Sequence, residues 1–262
     1  MIFCMAGTSD ARDLCVMLSQ QGFPIIASVV TEHAAENLKS ESIRTHVGRL
    51  DLDNMCQMLQ NMGAKVLVDA SHPFAEVAHN TAMAAAHAYH IPYVRYERPM
   101  KDYTNMPNVT IVDSYEEAAR RASHHQGSVM LTTGSKTLSI FTDVIHGKPD
   151  IRLVVRLVPW VENIEKCNAL GIDQTDIVAI QGPFSREFNR ELFRHYQTSL
   201  MITKESGGPG SVDEKIEAAV DLGIEIIVIS RPKISYPDTC TTFADVIKKI
   251  EAFLEEPNGF SY

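Results

Sequence analysis

The residues best suited to chemistry lie in five short loops that combine glycine with small hydroxyl side chains. Each loop follows an apolar run with strand character and precedes a run with helical spacing, so it offers free backbone N–H groups at the start of a helix. Such N–H groups, together with the positive end of the helix dipole, bind phosphates and carboxylates. The loops are Gly7-Thr8-Ser9-Asp10, Ser71-His72-Pro73-Phe74, Thr132-Thr133-Gly134-Ser135-Lys136, Gln181-Gly182-Pro183-Phe184-Ser185 and Thr203-Lys204-Glu205-Ser206-Gly207-Gly208.

Each loop also has a purely structural interpretation, because turns from strand to helix need glycine and N-capping residues in any case. The first loop has only Gly7, and Ser9 and Arg12 stand where a G-x-G-x-x-G dinucleotide fingerprint has glycines. The third loop lacks the upstream glycine of a P-loop. A nucleotide site is therefore indicated by the recurrence of such loops and not by any one motif.

Cationic side chains accompany the loops. Lys204 is a candidate proton donor or charge partner for a ligand carboxylate, and Lys136 is a second candidate of the same kind. Arginine is the natural bidentate partner of a carboxylate. The alternative for each of these residues, taken alone, is an ordinary solvated side chain on the protein surface. The arginines near the loops are Arg12, Arg95, Arg98, Arg156, Arg186 and Arg231.

The histidines show no metal-ligand spacing, and we expect no metal site. His72 differs from the others because it precedes Pro73 at a strand end, where it either contacts a ligand or caps the turn. No nucleophile elbow and no Ser/His/Asp order is visible in the sequence. The lack of a protein nucleophile suits hydride transfer, in which a cofactor carries the chemistry and the protein positions it.

The loops are positioned by short apolar strands that alternate with helical patterns along the whole chain. This order predicts an α/β architecture with largely parallel sheets, whose strands are near-continuously apolar because both faces are covered. Ligands in such folds bind beyond the carboxyl ends of the strands, where the five loops lie. A polar break at 98–108 indicates two α/β halves, and Ser114 with Glu117 predicts a capping box in the second half.

Composition limits the function classes further. The 262 residues carry 24 basic and 33 acidic side chains, a net charge of −9, which argues against a general nucleic-acid binder. No apolar run approaches the roughly 18 residues of a membrane span, and the chain starts on an apolar strand without a basic signal-peptide region. The scattered cysteines form no C-x-x-C and indicate reduced thiols. We therefore expect a cytoplasmic protein with neither a nucleic-acid nor a membrane partner.

Taken together and in order, the loops resemble the precorrin-6A reductase family of cobalamin biosynthesis, including its cobalt-precorrin-6A members. The resemblance spans nearly the full chain, to about residue 232, and the shared order of six short motifs makes it specific. The motifs are Gly7-Thr8-Ser9-Asp10-Ala11-Arg12, Asp69-Ala70-Ser71-His72-Pro73-Phe74-Ala75, Arg95-Tyr96-Glu97-Arg98-Pro99, Thr133-Gly134-Ser135-Lys136, Gln181-Gly182-Pro183-Phe184-Ser185 and Thr203-Lys204-Glu205-Ser206-Gly207-Gly208.

The resemblance implies an NADPH-dependent oxidoreductase with two Rossmann-like domains, 1–98 and 99–262, largely parallel sheets and an interdomain cleft. It implies reduction of one ring double bond of precorrin-6A or cobalt-precorrin-6A to the corresponding 6B compound, with a hydride to carbon 19 and a proton to the adjacent carbon. The substrate is then a large tetrapyrrole-derived macrocycle edged by carboxylates, which gives the arginines a purpose in an acidic chain. Both forms of the substrate, with and without cobalt, stay open at this point.

The matching motifs also imply roles for single residues. Lys204 is the candidate catalytic residue, for charge balance or proton delivery. Pro209 departs from the small residue expected after the glycine pair. We expect the substrate to contact Arg98, Arg186, Ser206, Gly207 and Gly208. We expect the cofactor to contact Gly7, Thr8, Ser9, Arg12, Ser71, His72, Pro73, Thr133, Gly134, Ser135 and Lys136.

Two other functions fit the same fold, namely an unrelated NAD(P)-dependent reductase or epimerase and a non-catalytic nucleotide-binding sensor. The preference for NADPH over NADH comes only from the resemblance. The sequence shows no 2′-phosphate pocket, and the place to look for one is Thr31-Glu32-His33, which follow the second strand.

Overall fold

The computed structural model describes residues 1–207 and 213–255. The chain forms two compact units, the first from 1–99 with the segment that begins at 232, and the second from 100–231. In the described ranges, no helix combines the length and the apolar character that a membrane crossing requires.

The first unit contains a six-stranded sheet in which all paired strands are parallel. Its strands are β1 (Ile2–Met5), β2 (Ile25–Val29), β3 (Arg44–Val47), β4 (Val66–Asp69), β5 (Tyr93–Tyr96) and β12 (Thr239–Cys240). They lie in the order β12-β5-β4-β1-β2-β3. This is the 3-2-1-4-5-6 order of dinucleotide-binding folds, in which the strand order reverses between β1 and β4.

Helices cover both faces of the first sheet, as its apolar strands require. Ile2 and Cys4 belong to one core cluster and Phe3 and Met5 to another, because successive strand residues point to opposite faces. Gly63 ends one helix with a φ of 60°, the left-handed conformation that glycine adopts without strain. The helices are α1 (Ser9–Gln20), α2 (Glu32–Lys39), α3 (Leu52–Met62), α4 (Glu76–Ala88) and α10 (Phe243–Glu255).

The second unit repeats this architecture. Its strands are β6 (Val109–Val112), β7 (Gly127–Leu131), β8 (Ile151–Leu157), β9 (Ile177–Ala179), β10 (Thr198–Lys204) and β11 (Glu225–Ile229). They lie in the order β6-β11-β10-β7-β8-β9, again all parallel, and the order reverses between β7 and β10. The helices are α5 (Tyr115–Ala122), α6 (Leu138–Ile145), α7 (Val161–Ala169), α8 (Arg186–His195) and α9 (Asp213–Asp221), with a 3₁₀ turn at Gln174–Asp176.

The two sheets confirm the predicted α/β class with parallel strands. The N-cap half of the predicted capping box is present as well, since the backbone N–H of Glu117 donates to Ser114 Oγ at 3.1 Å, whereas the Glu117 carboxylate pairs with Arg121. The polar break that separates the halves at 98–108 coincides with the passage from the first unit to the second after residue 99.

The outermost strand of each sheet comes from an unexpected part of the chain. β6 follows β5 in sequence but pairs with β11 of the second sheet, and β12 returns to pair with β5. Backbone hydrogen bonds from Arg95 N to the Asp238 carbonyl (2.8 Å) and from Glu97 N to the Cys240 carbonyl (2.9 Å) hold β12 in place.

The structure therefore differs from the expectation that 99–262 form one domain. The segment from 232 belongs to the first unit, where Val246 and Ile250 of α10 pack in the same cluster as Leu14 and Leu18 of α1. A two-residue strand has no detectable hydrophobic period, so the sequence pattern carries no signal for this return.

Candidate functional site

In the first unit, two of the predicted loops meet where the strand order reverses. Met5 at the end of β1 pairs with Asp69 at the end of β4, so the loop from Gly7 to Ser9 lies beside the loop from Ser71 to Pro73. In open α/β sheets this reversal point is where ligands bind. The structure thus groups six of the residues assigned to the cofactor at one edge of the first sheet.

The first loop has the features of an anion site. Thr8 caps α1 by accepting a hydrogen bond from Ala11 N, and Ser9 is the first residue of the helix. A Cβ atom built on Gly7 meets no atom within 4 Å, so packing within the protein does not explain this glycine. Open space above a glycine at a helix N-terminus allows a phosphate to approach the backbone closely, which fits a dinucleotide.

Two predicted arginines lie near this loop in different settings. Arg12 is half-exposed and pairs with the neighbouring Asp13 at 2.8 Å. Arg98, which we assigned to the substrate, forms an ion pair with Asp10 of α1 through two guanidinium nitrogens. Burial raises the pKa of Asp10, but hydrogen bonds from Arg98 and Thr8 outweigh it and hold the pKa below its ordinary value. Arg98 therefore neutralises a carboxylate beside the loop from Gly7 to Ser9.

The second loop is fixed by a buried carboxylate at the end of β4. Asp69 Oδ1 accepts hydrogen bonds from Ser71 N (3.0 Å) and Ser71 Oγ (2.6 Å), and Asp69 Oδ2 lies 2.7 Å from His79 Nδ1. Arg95 Nη1 donates to Asp69 Oδ1 (3.2 Å) and to the Ser71 carbonyl (2.9 Å), and Tyr93 donates to Asp69 Oδ2 (2.8 Å). Asp69, His79 and Arg95 are all completely buried.

This arrangement sets the ionisation of Asp69. Burial by itself raises the pKa of Asp69, but the hydrogen bond from His79 and the charge of Arg95 lower it well below the ordinary value. Asp69 is therefore a permanent anion that holds the loop. His72 Nδ1 accepts a hydrogen bond from Phe74 N at 3.2 Å, so this nitrogen caps the turn. Capping was one of the two roles that the sequence left open for His72, the other being contact with a ligand.

In the second unit, two of the remaining three loops meet at the corresponding reversal point, whereas the loop from Gln181 to Ser185 follows β9 at the edge of the sheet. Thr132 N donates to the Ile202 carbonyl at 2.9 Å, which joins the end of β7 to β10. Gly134 has a φ of 79°, a conformation that requires glycine. Ser135 Oγ donates to Asn163 Oδ1 of α7 at 2.5 Å. The structure thus places Thr133 to Lys136, assigned to the cofactor, beside Lys204 to Gly207 and within the second unit.

The loop after β10 is held by a second buried carboxylate. Glu205 Oε1 accepts from Gly207 N at 3.0 Å, and both Glu205 oxygens pair with Arg231, which follows β11. The pattern matches the first unit, where Asp69 accepts from the backbone two residues on and pairs with an arginine of the adjacent strand. We call each pair, Asp69–Arg95 and Glu205–Arg231, a loop clamp.

Arg156 and Lys204 both lie near Lys215, so three cations gather in this part of the second unit. Burial, and to a lesser extent the charge of Lys136, lower the pKa of Lys204 to about 8. Lys215 of α9 is 8% exposed, and burial together with the charges of Arg156 and Lys204 lowers its pKa to about 7. Burial also lowers the pKa of Arg156 to about 10. We call Arg156, Lys204 and Lys215 the cation cluster.

Two members of the cation cluster, Arg156 and Lys215, have few acidic neighbours among the described residues. Arg156 Nη1 donates to the neutral amide of Asn189 at 2.7 Å, and Glu214 is the single acid that raises the pKa of Lys215. The hydroxyl groups of Thr133 and Thr203 are buried, and neither has a hydrogen-bond partner among the described residues. Buried cations are costly unless they are paired, so Arg156 and Lys215 are suited to an anionic ligand. Sequence reasoning missed Lys215, which lies in a helix and carries no motif.

The other residues that we expected to contact the substrate lie in different settings. Ser206 and Gly207 follow Glu205 in the clamped loop, whereas Gly208 and Pro209 lie outside the described residues. Arg186 begins α8 and donates to both carboxylate oxygens of Asp221 (2.8 and 2.6 Å) and to Glu217 (3.2 Å). These partners engage the Arg186 guanidinium on the surface between α8 and α9, which favours a structural role.

Three comparisons with known proteins find the same kind of protein, and each matches nearly the whole chain. The profile of the family described as precorrin-6x reductase CbiJ/CobK matches residues 1–251. A cobalt-precorrin-6A reductase of Priestia megaterium is 48% identical over 247 residues, covering 94% of this chain and 96% of the relative. Another, of Methanothermobacter thermautotrophicus, is 39% identical and covers 89% and 77%. The solved structure of CobK precorrin-6A reductase aligns with a TM-score of 0.81 at 25% identity, over 98% of this chain and 99% of its own.

Proposed function

Because the chain belongs to the precorrin-6x reductase family, we propose that it reduces cobalt-precorrin-6A to cobalt-precorrin-6B with NADPH in the cytoplasm. The observation that carries the proposal is the 48% identity with a cobalt-precorrin-6A reductase over 94% of this chain and 96% of the relative. The cobalt form is favoured because the solved structure named only for precorrin-6A stands at 25% identity. The five cysteines are all free thiols, in keeping with a reducing compartment.

The first unit supports a nicotinamide dinucleotide by its topology and by the open space above Gly7. We assign the backbone N–H groups of Gly7, Thr8 and Ser9 to the pyrophosphate, with Arg12 at the rim and the loop from Ser71 to Pro73 on the other side. When bound, NADPH supplies a hydride to carbon 19 of the macrocycle. The chain orients the dinucleotide through a loop whose position Asp69 and Arg95 fix.

The second unit supports binding and protonation of a polycarboxylate. We assign the cation cluster to carboxylates at the edge of the macrocycle, with Ser206 and the backbone N–H of Gly207 beside it. Lys204 is our candidate for donating a proton to the carbon adjacent to carbon 19. Its pKa of about 8 leaves it mostly protonated at neutral pH, yet more acidic than an ordinary lysine. Thr133 to Lys136 lie beside it, and Lys136 keeps its proposed role toward the cofactor.

The test is oxidation of NADPH by the purified protein with cobalt-precorrin-6A, with precorrin-6A and with neither, followed by mass analysis of the product. We expect NADPH consumption and a product heavier by two hydrogens, with a higher kcat/KM for the cobalt form. Equal kcat/KM values for the two forms would contradict the preference for the cobalt form and leave the proposed reduction standing. No oxidation with either form would contradict the proposal, and tight nucleotide binding without oxidation would favour a sensor.

A further inference from the structure

A cavity beside the third strand of the first unit has no role in the function proposed above. The cavity has a volume of about 320 Å³ and lies between the carboxyl end of β3 and one side of α3. Gly48 N donates to the Val29 carbonyl at 2.9 Å, so the end of β3 is joined to the end of β2. The cavity lining consists of His46, Val47, Gly48, Arg49, Leu50, Asn54, Gln57, Met58 and Asn61.

The charge of the lining is one-sided. Arg49 is its one cation, and no acidic residue contributes to it. Arg49 is exposed and forms no hydrogen bond or ion pair with any other described residue. An arginine at the mouth of a cavity with no protein carboxylate to bind is suited to an anion from outside the chain.

A second polar group of the lining also lacks a partner. His46 Nε2 is buried and has no hydrogen-bond partner among the described residues. Buried polar atoms in native proteins are nearly always paired, so this nitrogen indicates a partner that the polypeptide does not supply. Gly48 has a φ of 124°, which only glycine adopts freely, and this turn carries the chain from His46 to Arg49 around the cavity.

The topology identifies what enters the cavity. In this strand order a dinucleotide crosses the reversal point, and the ribose of its adenosine half lies near the end of the second strand. The end of β3 is the nearest neighbour of that position, because Val47 pairs with Val29. At the end of β2 itself, the Thr31 hydroxyl is occupied as the N-cap of α2, accepting from Ala34 N at 3.3 Å, and the next residue is the acidic Glu32.

We propose that this cavity is the subsite for the 2′-phosphate-bearing adenosine end of the cofactor, and that Arg49 binds the 2′-phosphate. Arg49 then determines the preference for NADPH over NADH, in place of the residues at 31–33, where the sequence led us to look for the pocket. The inference rests on the proposed function, since it places one end of the same cofactor. The inference goes beyond that function because it names the group that is recognised, the 2′-phosphate, and the residue that binds it, Arg49.

The experiment measures binding of two cofactor fragments, adenosine 2′,5′-bisphosphate and adenosine 5′-monophosphate, to the full chain by calorimetry. We expect the wild type to bind the bisphosphate at least about tenfold more tightly, the effect of a charge-assisted hydrogen bond. Arg49→Ala is expected to lose that advantage and to keep its affinity for the monophosphate. Arg44→Ala is the matched control, because Arg44 is an exposed arginine at the other end of β3.

The outcomes separate this subsite from the cofactor assignment itself. If Arg49→Ala retains the preference of the wild type for the bisphosphate, the subsite is overturned while NADPH remains the cofactor. If the wild type shows no preference for the bisphosphate, both this subsite and the assignment of NADPH over NADH are overturned. An unchanged melting temperature of Arg49→Ala shows that a loss of affinity does not come from unfolding, and the surface position of Arg49 leads us to expect this.

Discussion

At the scale of single residues, the protonation of Lys204 is expected to control turnover. The structure lowers the pKa of Lys204 to about 8, chiefly by burial. A proton donor has to carry its proton before it acts, so kcat/KM for the macrocycle should be constant below that pH and fall as the pH rises through about 8. The measurement is the pH dependence of kcat/KM for the macrocycle at saturating NADPH.

Variants distinguish a proton donor from a charge that only binds. Lys204→Arg keeps its proton at all accessible pH values, so the falling limb should disappear while kcat drops about 100-fold. Lys39→Ala removes an exposed lysine of α2 and should change neither quantity. If Lys204→Ala has the kcat and the pH profile of the wild type, Lys204 does not donate the proton.

Two glycines of the first unit are predicted to respond in opposite ways to an added methyl group. Gly7→Ala meets no protein atom within 4 Å, so the melting temperature should stay unchanged while KM for NADPH rises at least about tenfold. Gly63→Ala is strained at a φ of 60° and should lower the free energy of unfolding by about 1 kcal/mol without changing KM. Thermal unfolding and cofactor kinetics on both variants test the pair, and an unchanged KM for Gly7→Ala would contradict the ligand role of that loop.

At the scale of elements, the loop clamps connect sheet stability to the placement of the binding loops. Asp69→Asn leaves Arg95 completely buried with Glu97 as its remaining carboxylate, so we expect a loss of about 3 kcal/mol in the free energy of unfolding. KM for NADPH should rise as well, since asparagine keeps only one acceptor oxygen for the hydrogen bonds from Ser71, Tyr93 and Arg95 that two oxygens accept in Asp69. Denaturant titration and kinetics measure both effects.

An exposed aspartate provides the control for the clamp. Asp51 caps α3 by accepting from Asn54 N at 2.9 Å, and asparagine caps helices about as well as aspartate. Asp51→Asn is therefore expected to leave stability and KM nearly unchanged. If Asp69→Asn behaves like Asp51→Asn, the clamp does not hold the loop.

Local sequence patterns predict some of these elements, but they do not predict the contacts between residues that are distant in sequence. Long apolar periods predict α1 and the central strands, and a local motif predicts the Ser114–Glu117 cap, because these depend on residues close in sequence. The loop clamp of Asp69 and Arg95 depends on strand neighbours that are 26 residues apart, and no local pattern specifies that pairing. Lys215 was missed for the same reason, since its burial beside Arg156 and Lys204 follows from packing alone.

At the scale of the whole molecule, the two units should differ in their ability to fold as fragments. Residues 100–231 contain a complete six-stranded sheet and a core cluster that includes Met130, Phe193 and Met201. We expect this fragment to unfold cooperatively in denaturant. Residues 1–99 lack β12 and α10, whose Val246 and Ile250 are fully buried in the first core.

The fragment 1–99 should therefore be unstable alone and should gain structure when a peptide covering 232–262 is added. Circular dichroism and denaturant titration of the three samples measure this. Equal stability of 1–99 with and without the peptide would mean that the returning segment contributes little to the first unit. A fragment 100–231 without a cooperative transition would contradict the independence of the second unit.

The return of β12 and α10 to the first unit has a consequence for synthesis on the ribosome. Domains of a growing chain ordinarily fold from the amino terminus onward as each is completed. Here the first unit begins at residue 2 but receives its last strand and helix from residues 239–255, after the whole second unit has been made. The amino-terminal half is thus the first to emerge and the last to finish. During that interval the edge of β5 and the apolar face of β5 that α10 covers await their partners, and a chaperone that binds exposed apolar segments would find them there.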